Sequence, residues 1–239
     1  MRFTVITIFP EFFDSPLRVG LLGKAVEKGI VEVQTVQLRS FAKGRHQCVD
    51  DSPYGGGPGM VMMVEPLVKA IESVKTAVSV DRTILLSPRG KVFDQDRARH
   101  LSRMDHVVLV CGRYEGVDDR LTEGGFVDEE LSMGDYVLNG GEVASLAVIE
   151  ACSRMLPGAM GNVDSVPNDS FYSVLLDHPH FTRPRLFRGL EVPEVLLGGN
   201  HSEVDRWRRK QALRITADNR PDLMEQLLLT DEERRLLEE

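Results

Sequence analysis

Val107-Val108-Leu109-Val110-Cys111-Gly112-Arg113-Tyr114-Glu115-Gly116 is the stretch that decides the fold. Its first five residues are apolar without interruption, the pattern of a strand buried on both faces. The strand runs straight into a loop bounded by two glycines. That is how an α/β protein brings bare backbone up to a ligand at the end of a strand. Two other stretches do the same: Leu85-Leu86-Ser87-Pro88-Arg89-Gly90 and Ser132-Met133-Gly134-Asp135-Tyr136-Val137-Leu138-Asn139-Gly140-Gly141-Glu142. Three such loops in one domain point to a single small ligand held between them.

Outward from this centre, the first half of the chain alternates strands and helices. Phe3–Phe9, Val31–Leu38 and Thr83–Leu86 read as strands. Helices are expected over Phe12 to about Lys28, Glu65–Ala77, Gln95–Met104 and Gly141–Met155, the last stopped by Pro157-Gly158. Arg39 to Gly59 reads as loop. This β-α-β-α order predicts a parallel α/β sheet. Residues 158–168 are small, polar and unpatterned, and read as a linker. Beyond it, His201–Thr216 is a basic helix and Pro221–Glu239 a helical tail, with Thr230 and Glu233 spaced as a capping box. The expected organisation is a domain over 1–157, a linker over 158–168 and a small, mainly helical domain over 169–239.

The 239 residues are 42% hydrophobic and 28% charged, ordinary for a globular chain. No apolar run is long enough to span a bilayer. Met1–Pro10 reads as a buried first strand, not a signal peptide. The cysteines Cys48, Cys111 and Cys152 are scattered, without a C-x-x-C pair, so neither zinc nor a disulfide framework is indicated and a reducing cytoplasm is expected. The net charge of −8 argues against bulk nucleic-acid binding, yet basic residues concentrate in the last third.

The glycine loops match no common nucleotide motif. No Gly-Lys-Ser/Thr of a P-loop occurs, Gly55-Gly56-Gly57-Pro58-Gly59 breaks the Rossmann spacing, and G-x-S-x-G is absent. The loops suit a ligand with an adenine ring, polar ends and little negative charge. Tyr114 or Tyr136 would line an apolar wall, and Glu115 or Asp135 would take an ammonium group. S-adenosylmethionine meets that description. The plainer alternative is three tight strand-to-helix turns.

The chain also resembles a known family. Ser52-Pro53-Tyr54-Gly55-Gly56-Gly57-Pro58-Gly59-Met60, Cys111–Gly116, Gly134–Glu142, Asp169-Ser170-Phe171, His178-Pro179-His180-Phe181-Thr182-Arg183-Pro184 and Val195-Leu196-Leu197-Gly198-Gly199-Asn200-His201 look like the bacterial tRNA (guanine-N1)-methyltransferases, of the SPOUT class. The match runs in order through essentially the whole chain. It departs at Arg89, where the family often has Gln, and at Ala144, where Pro is common.

The resemblance implies methyl transfer from S-adenosylmethionine to N1 of the guanosine immediately 3′ of the tRNA anticodon. It implies a deep trefoil knot in the N-terminal domain and a homodimer with each active site at the subunit interface. The cofactor-binding residues would be Leu86, Ser87 and Pro88; Gly112, Tyr114, Glu115 and Gly116; and Ser132, Met133, Gly134, Asp135, Tyr136, Val137, Leu138, Gly140 and Gly141. Asp169 would be the general base and Arg154 its assistant. His46, Asp50, Gly55 and Gly59 would read the target guanosine and its neighbour. Arg183, Arg185, Arg208, Arg209 and Lys210 would meet tRNA phosphates. Magnesium dependence is also implied, with no ligands assigned. Two alternatives of other classes are a non-catalytic SPOUT-like RNA-binding protein and a nucleotide-binding oxidoreductase. Asp169, Arg154 and the three loops disfavour the first; the missing G-x-G-x-x-G disfavours the second.

Overall fold

A computed structural model of the chain describes residues 1–161 and 169–238. They fall into two compact units, Met1–Val163 and Asp164–Glu239. Most of the expected linker, 162–168, lies outside the described residues.

The first unit runs β1 (Arg2–Thr7), α1 (Gly20–Glu27), β2 (Glu32–Gln37), β3 (Asp50–Asp51), β4 (Val61–Met62), α2 (Val64–Ala77), β5 (Arg82–Val92), α3 (Gln95–Leu101), β6 (His106–Cys111), α4 (Arg120–Glu123), β7 (Glu129–Ser132) and α5 (Gly141–Arg154). Five strands form one sheet in the order β2-β1-β6-β5-β7. Every neighbouring pair in it is parallel. β3 and β4 make a separate antiparallel pair.

β6 lies at the middle of the sheet, and all six of its residues are buried. Its side chains alternate between two cores. Val107, Leu109 and Cys111 join Leu22 and Ala25 of α1, Ala98 and Leu101 of α3 and Val148, Ile149 and Cys152 of α5. Val108 and Val110 join Leu67, Ala70, Ile71 and Val74 of α2 and Leu121 of α4. Helices therefore cover both faces, which is why β6 reads as one unbroken apolar run.

Three expectations for this unit change. The helix expected over Phe12–Lys28 is α-helical only in α1, after 3₁₀ turns at Pro10–Phe13 and Pro16–Arg18. Pro16 starts the second turn, and Gly20 at φ +66° turns the chain at the first residue of α1. The strand expected over Thr83–Leu86 reaches Val92. Leu131 pairs with both Leu86 and Lys91, so Ser87–Gly90 bulges from a strand that resumes. Arg39–Gly59 contains the end of a 3₁₀ turn, Leu38–Phe41, and the strand β3.

In the second unit, the helix His201–Asn219 buries Val204, Ala212, Leu213 and Thr216. Leu175, Ala212, Leu213 and Leu236 form its small core. The expected helical tail is two short helices, Pro221–Met224 and Asp231–Glu238. Thr230 is the reason for the break: its hydroxyl accepts the Glu233 amide at 3.2 Å, and the Glu233 carboxylate accepts the Thr230 amide at 2.8 Å. That capping box starts a helix and so cannot lie inside one. A hairpin of Leu186–Phe187 with Leu190–Glu191, not foreseen as strand, and a 3₁₀ turn at Glu194–Leu197 lie between the start of the unit and its long helix.

Candidate functional site

The three glycine loops of the first unit close on one cavity of about 350 Å³. That is within the range of small-molecule sites, roughly 300–1,000 Å³. Leu86, Ser87 and Pro88 come from the β5 bulge; Gly112, Tyr114, Glu115 and Gly116 follow β6; Ser132, Met133, Tyr136, Val137, Leu138, Gly140 and Gly141 follow β7. Gly134 and Asp135 stand outside the lining. Gly134 has φ +124°, and the Ser132 hydroxyl accepts its amide at 3.2 Å. Asp135, next to this turn, is exposed. Leu85, Arg89, Arg113, Val117, Leu131, Asn139 and Ala144 join the lining, although the sequence did not single them out as site residues.

Lack of space explains several glycines. A Cβ on Gly141 would lie 2.7 Å from the Cys111 Cα, and one on Gly90 2.3 Å from the Leu131 amide nitrogen. A Cβ on Gly140 would sit 2.2 Å from Arg113 Nε. The bulged part of β5 therefore runs close against β7, and the start of α5 against the end of β6. Tyr136, Val137 and Leu138 stand exposed at the cavity, leaving apolar surface for a ligand.

An ion pair between half-buried Arg113 and buried Glu142 ties the loop after β6 to the start of α5. Glu142, only 1% exposed, lies in the first turn of α5. Its carboxylate accepts the Thr7 hydroxyl at 2.7 Å and Arg113 Nε at 3.0 Å. The Arg113 guanidinium lies 4.6 Å from the Phe9 ring centroid. The available signal was a pair of opposite charges, each beside a glycine at the end of an apolar element. Arg89 is held by Asp119 at 2.6 Å and Glu130 at 2.8 Å.

The glycine-rich loop docks on the same region. Met60 and Gly116 carbonyls accept the Glu115 and Met62 amides at 3.0 and 2.9 Å. Gly59, at φ +81°, lies so close to Glu115 that a Cβ would sit 2.2 Å from its carboxylate. Gly55, at φ +85°, is open to solvent. Burial pushes the Tyr114 phenol up, and its hydrogen bond to Asp50 adds to this against nearby Arg39. Asp50 is thus tied to a cavity residue, whereas His46 is exposed in a turn.

Arg154 is the last residue of α5. Asp169 belongs to the second unit, where its carbonyl accepts the Tyr172 amide at 3.2 Å. The next residue, Ser170, accepts the Asp177 amide through its hydroxyl at 2.9 Å. Asp177 also bonds His178 at 2.7 Å and His180 at 2.8 Å. Burial pushes the Asp177 carboxyl up, but the His180 hydrogen bond and the His178 amide outweigh it and leave it below the usual range. Among the described residues these three form the one cluster with metal-ligand spacing. Two imidazoles and a carboxylate suit a borderline transition metal and do not fit magnesium, which takes oxygen ligands.

Among the phosphate candidates, Arg183 and Arg185 are exposed. Arg208 pairs with Asp205 at 3.3 Å, and Arg209 Nε donates to Glu233 at 2.8 Å. Lys210 is half-buried on the same long helix. The charge of Arg209 is already compensated within the fold.

A sequence model of the family described as tRNA (Guanine-1)-methyltransferase TrmD matches residues 1–226. A tRNA (guanine-N(1)-)-methyltransferase of Geobacter metallireducens is 48% identical over 237 residues, covering 99% of this chain and 96% of the relative. The enzyme of that name from Carboxydothermus hydrogenoformans is 49% identical, covering 99% and 92%. The one from Moorella thermoacetica is 49% identical, covering 100% and 96%.

Proposed function

The chain belongs to the tRNA (guanine-N1)-methyltransferase family, and from that premise we propose that it methylates N1 of the guanosine immediately 3′ of the tRNA anticodon. The observation that carries the reading is the single cavity on which the β5, β6 and β7 loops close.

S-adenosylmethionine fits this cavity. The bare backbone at Gly112, Gly140 and Gly141 suits the edge of an adenine ring, and Tyr136, Val137 and Leu138 supply an apolar wall. When bound, it supplies an electrophilic methyl group on a sulfonium. The deep knot is likewise a proposal, and the close approach of Gly141 to the Cys111-Gly112 backbone supports it. The acting form is a homodimer in the cytoplasm, with its active site where two N-terminal units meet.

The protein's chemical task is to take a proton from guanine N1. That group is about as acidic as a phenol, near pKa 10, against about 3.9 for a free Asp, a gap of ~6 units or roughly 8 kcal/mol. A carboxylate cannot form the free anion at that cost. It can accept the proton as the N1–methyl bond forms, with a cation stabilising charge at O6. We assign the proton to Asp169 and the O6 charge, or the orientation of Asp169, to Arg154. Asp50, through Tyr114, links the base-reading loop to the cavity. Magnesium dependence is part of the same reading; the nitrogen-rich Asp177 cluster does not suit that ion, and no step is assigned to it.

The test is methyl transfer to unmodified tRNA carrying guanosine 3′ of the anticodon. N1-methylguanosine is expected there and lost when that base is adenosine; label elsewhere overturns the site. Asp169→Ala is expected to abolish turnover with tRNA binding intact, and near-normal turnover would remove Asp169 as the base.

A further inference from the structure

The buried Arg113–Glu142 pair bears on the charge of the ligand. Arg113 lines the cavity, and Glu142 stands behind it without lining it. The carboxylate is fully engaged. Oε1 accepts the Thr7 hydroxyl at 2.7 Å; Oε2 accepts Arg113 Nε at 3.0 Å and pairs with Nη2 at 2.9 Å. Thr7 is itself fixed, since its oxygen accepts the Phe9 amide at 2.9 Å, and the Phe9 ring backs the guanidinium at 4.6 Å. Gly140 leaves the room, because a Cβ there would lie 2.2 Å from Arg113 Nε and 2.6 Å from Glu142 Oε2.

Three positive features otherwise face the cavity: the Arg89 guanidinium, itself paired with Asp119 and Glu130, the Arg113 guanidinium, and the N-terminal end of α5, where Gly141 lines the wall. In a cavity this small, a bound ligand lies within about one Debye length of ~8 Å from the guanidinium, so salt cannot screen the interaction fully. An uncompensated guanidinium would repel a sulfonium.

We propose that Glu142 is a positioning residue that cancels the charge of Arg113 and so lets the cavity accept a cationic methyl donor. The inference rests on the methyltransferase reading. A purely structural role for Glu142 would affect the sulfonium donor and its neutral thioether product alike. Charge cancellation predicts a difference between them. One unit charge about 8 Å away at an effective dielectric of about 20 changes binding by at least tenfold.

The experiment is calorimetric binding of S-adenosylmethionine and S-adenosylhomocysteine to the full-length protein, without tRNA or turnover. Three forms are compared: wild type, Glu142→Gln and the double variant Arg113→Met/Glu142→Gln. Gln keeps the shape and the Thr7 hydrogen bond, and the double variant leaves no unpaired buried charge. Glu142→Gln is expected to weaken the sulfonium ligand at least tenfold more than the thioether, and the double variant to restore the wild-type ratio. Equal weakening of both ligands overturns the proposal. A double variant with a shifted ratio overturns it too, even where the single variant does not fold. Wild-type protein that binds neither ligand instead overturns the methyltransferase reading of the cavity.

Discussion

Replacing Gly141 by alanine puts a methyl group where the backbone leaves no room. Its Cβ would lie 2.7 Å from the Cys111 Cα, 3.1 Å from the Cys111 Cβ and 3.2 Å from the Gly112 nitrogen, against 3.4–4 Å for ordinary contact. The main obstacle is backbone at the end of the buried β6, which cannot rotate away as a flexible side chain would. Relief requires α5 or β6 to shift, an overpacking cost of about 1–3 kcal/mol. Alanine's helix advantage of roughly 0.5–1 kcal/mol offsets part of this in a helix interior and less at the first helical position. The clash therefore wins. At ~2–4 °C per kcal/mol for a unit of this size, the melting temperature is expected to fall by several degrees. Gly112 and Gly141 both line the cavity, so affinity for S-adenosylmethionine should fall with it. The assay is thermal unfolding and calorimetric titration of Gly141→Ala beside Gly161→Ala, where a Cβ meets nothing within 4 Å. If Gly141→Ala melts and binds like wild type, the packing account of the Gly-Gly pair is wrong.

Three further outcomes are expected. Cys48 is exposed, whereas burial pushes the Cys152 thiol up to about 12 and the Cys111 thiol higher still, so a thiol reagent should label one cysteine in the native protein and three in denaturant. The Glu233 carboxyl is held below its ordinary 4.5 by the Thr230 amide first, and by Arg209 against some desolvation; its contribution is therefore present above that value and lost as pH falls through the lowered one, and helix content measured by circular dichroism should decline there less steeply in Glu233→Gln. Exposed Arg183 and Arg185 should make tRNA binding fall steeply with salt despite the net charge of −8, and filter binding that is flat in salt would refute a basic contact face.

Where the sequence misled, the cause was local. Ser87–Gly90 reads as the end of a strand because serine, proline and glycine are turn residues, yet Lys91 and Val92 rejoin β7 beyond it. The apolar marks from Phe12 to Val26 have helical spacing, but Pro16 and Gly20 confine the α-helix to eight residues. Arg113 and Glu142 are 29 residues apart, and nothing in their spacing says that they meet.

The sequence by itself determined the parallel α/β core and the glycine loops at its strand ends. An uninterrupted apolar strand requires cover on both faces, and glycine after such a strand marks backbone that must be approached closely. The motif strings determined the family. Only the tertiary structure decided that the three loops share one cavity and that a carboxylate from α5 neutralises its arginine. Both depend on contacts between residues far apart in the chain, and side-chain spacing along a strand or helix carries information only about its own faces.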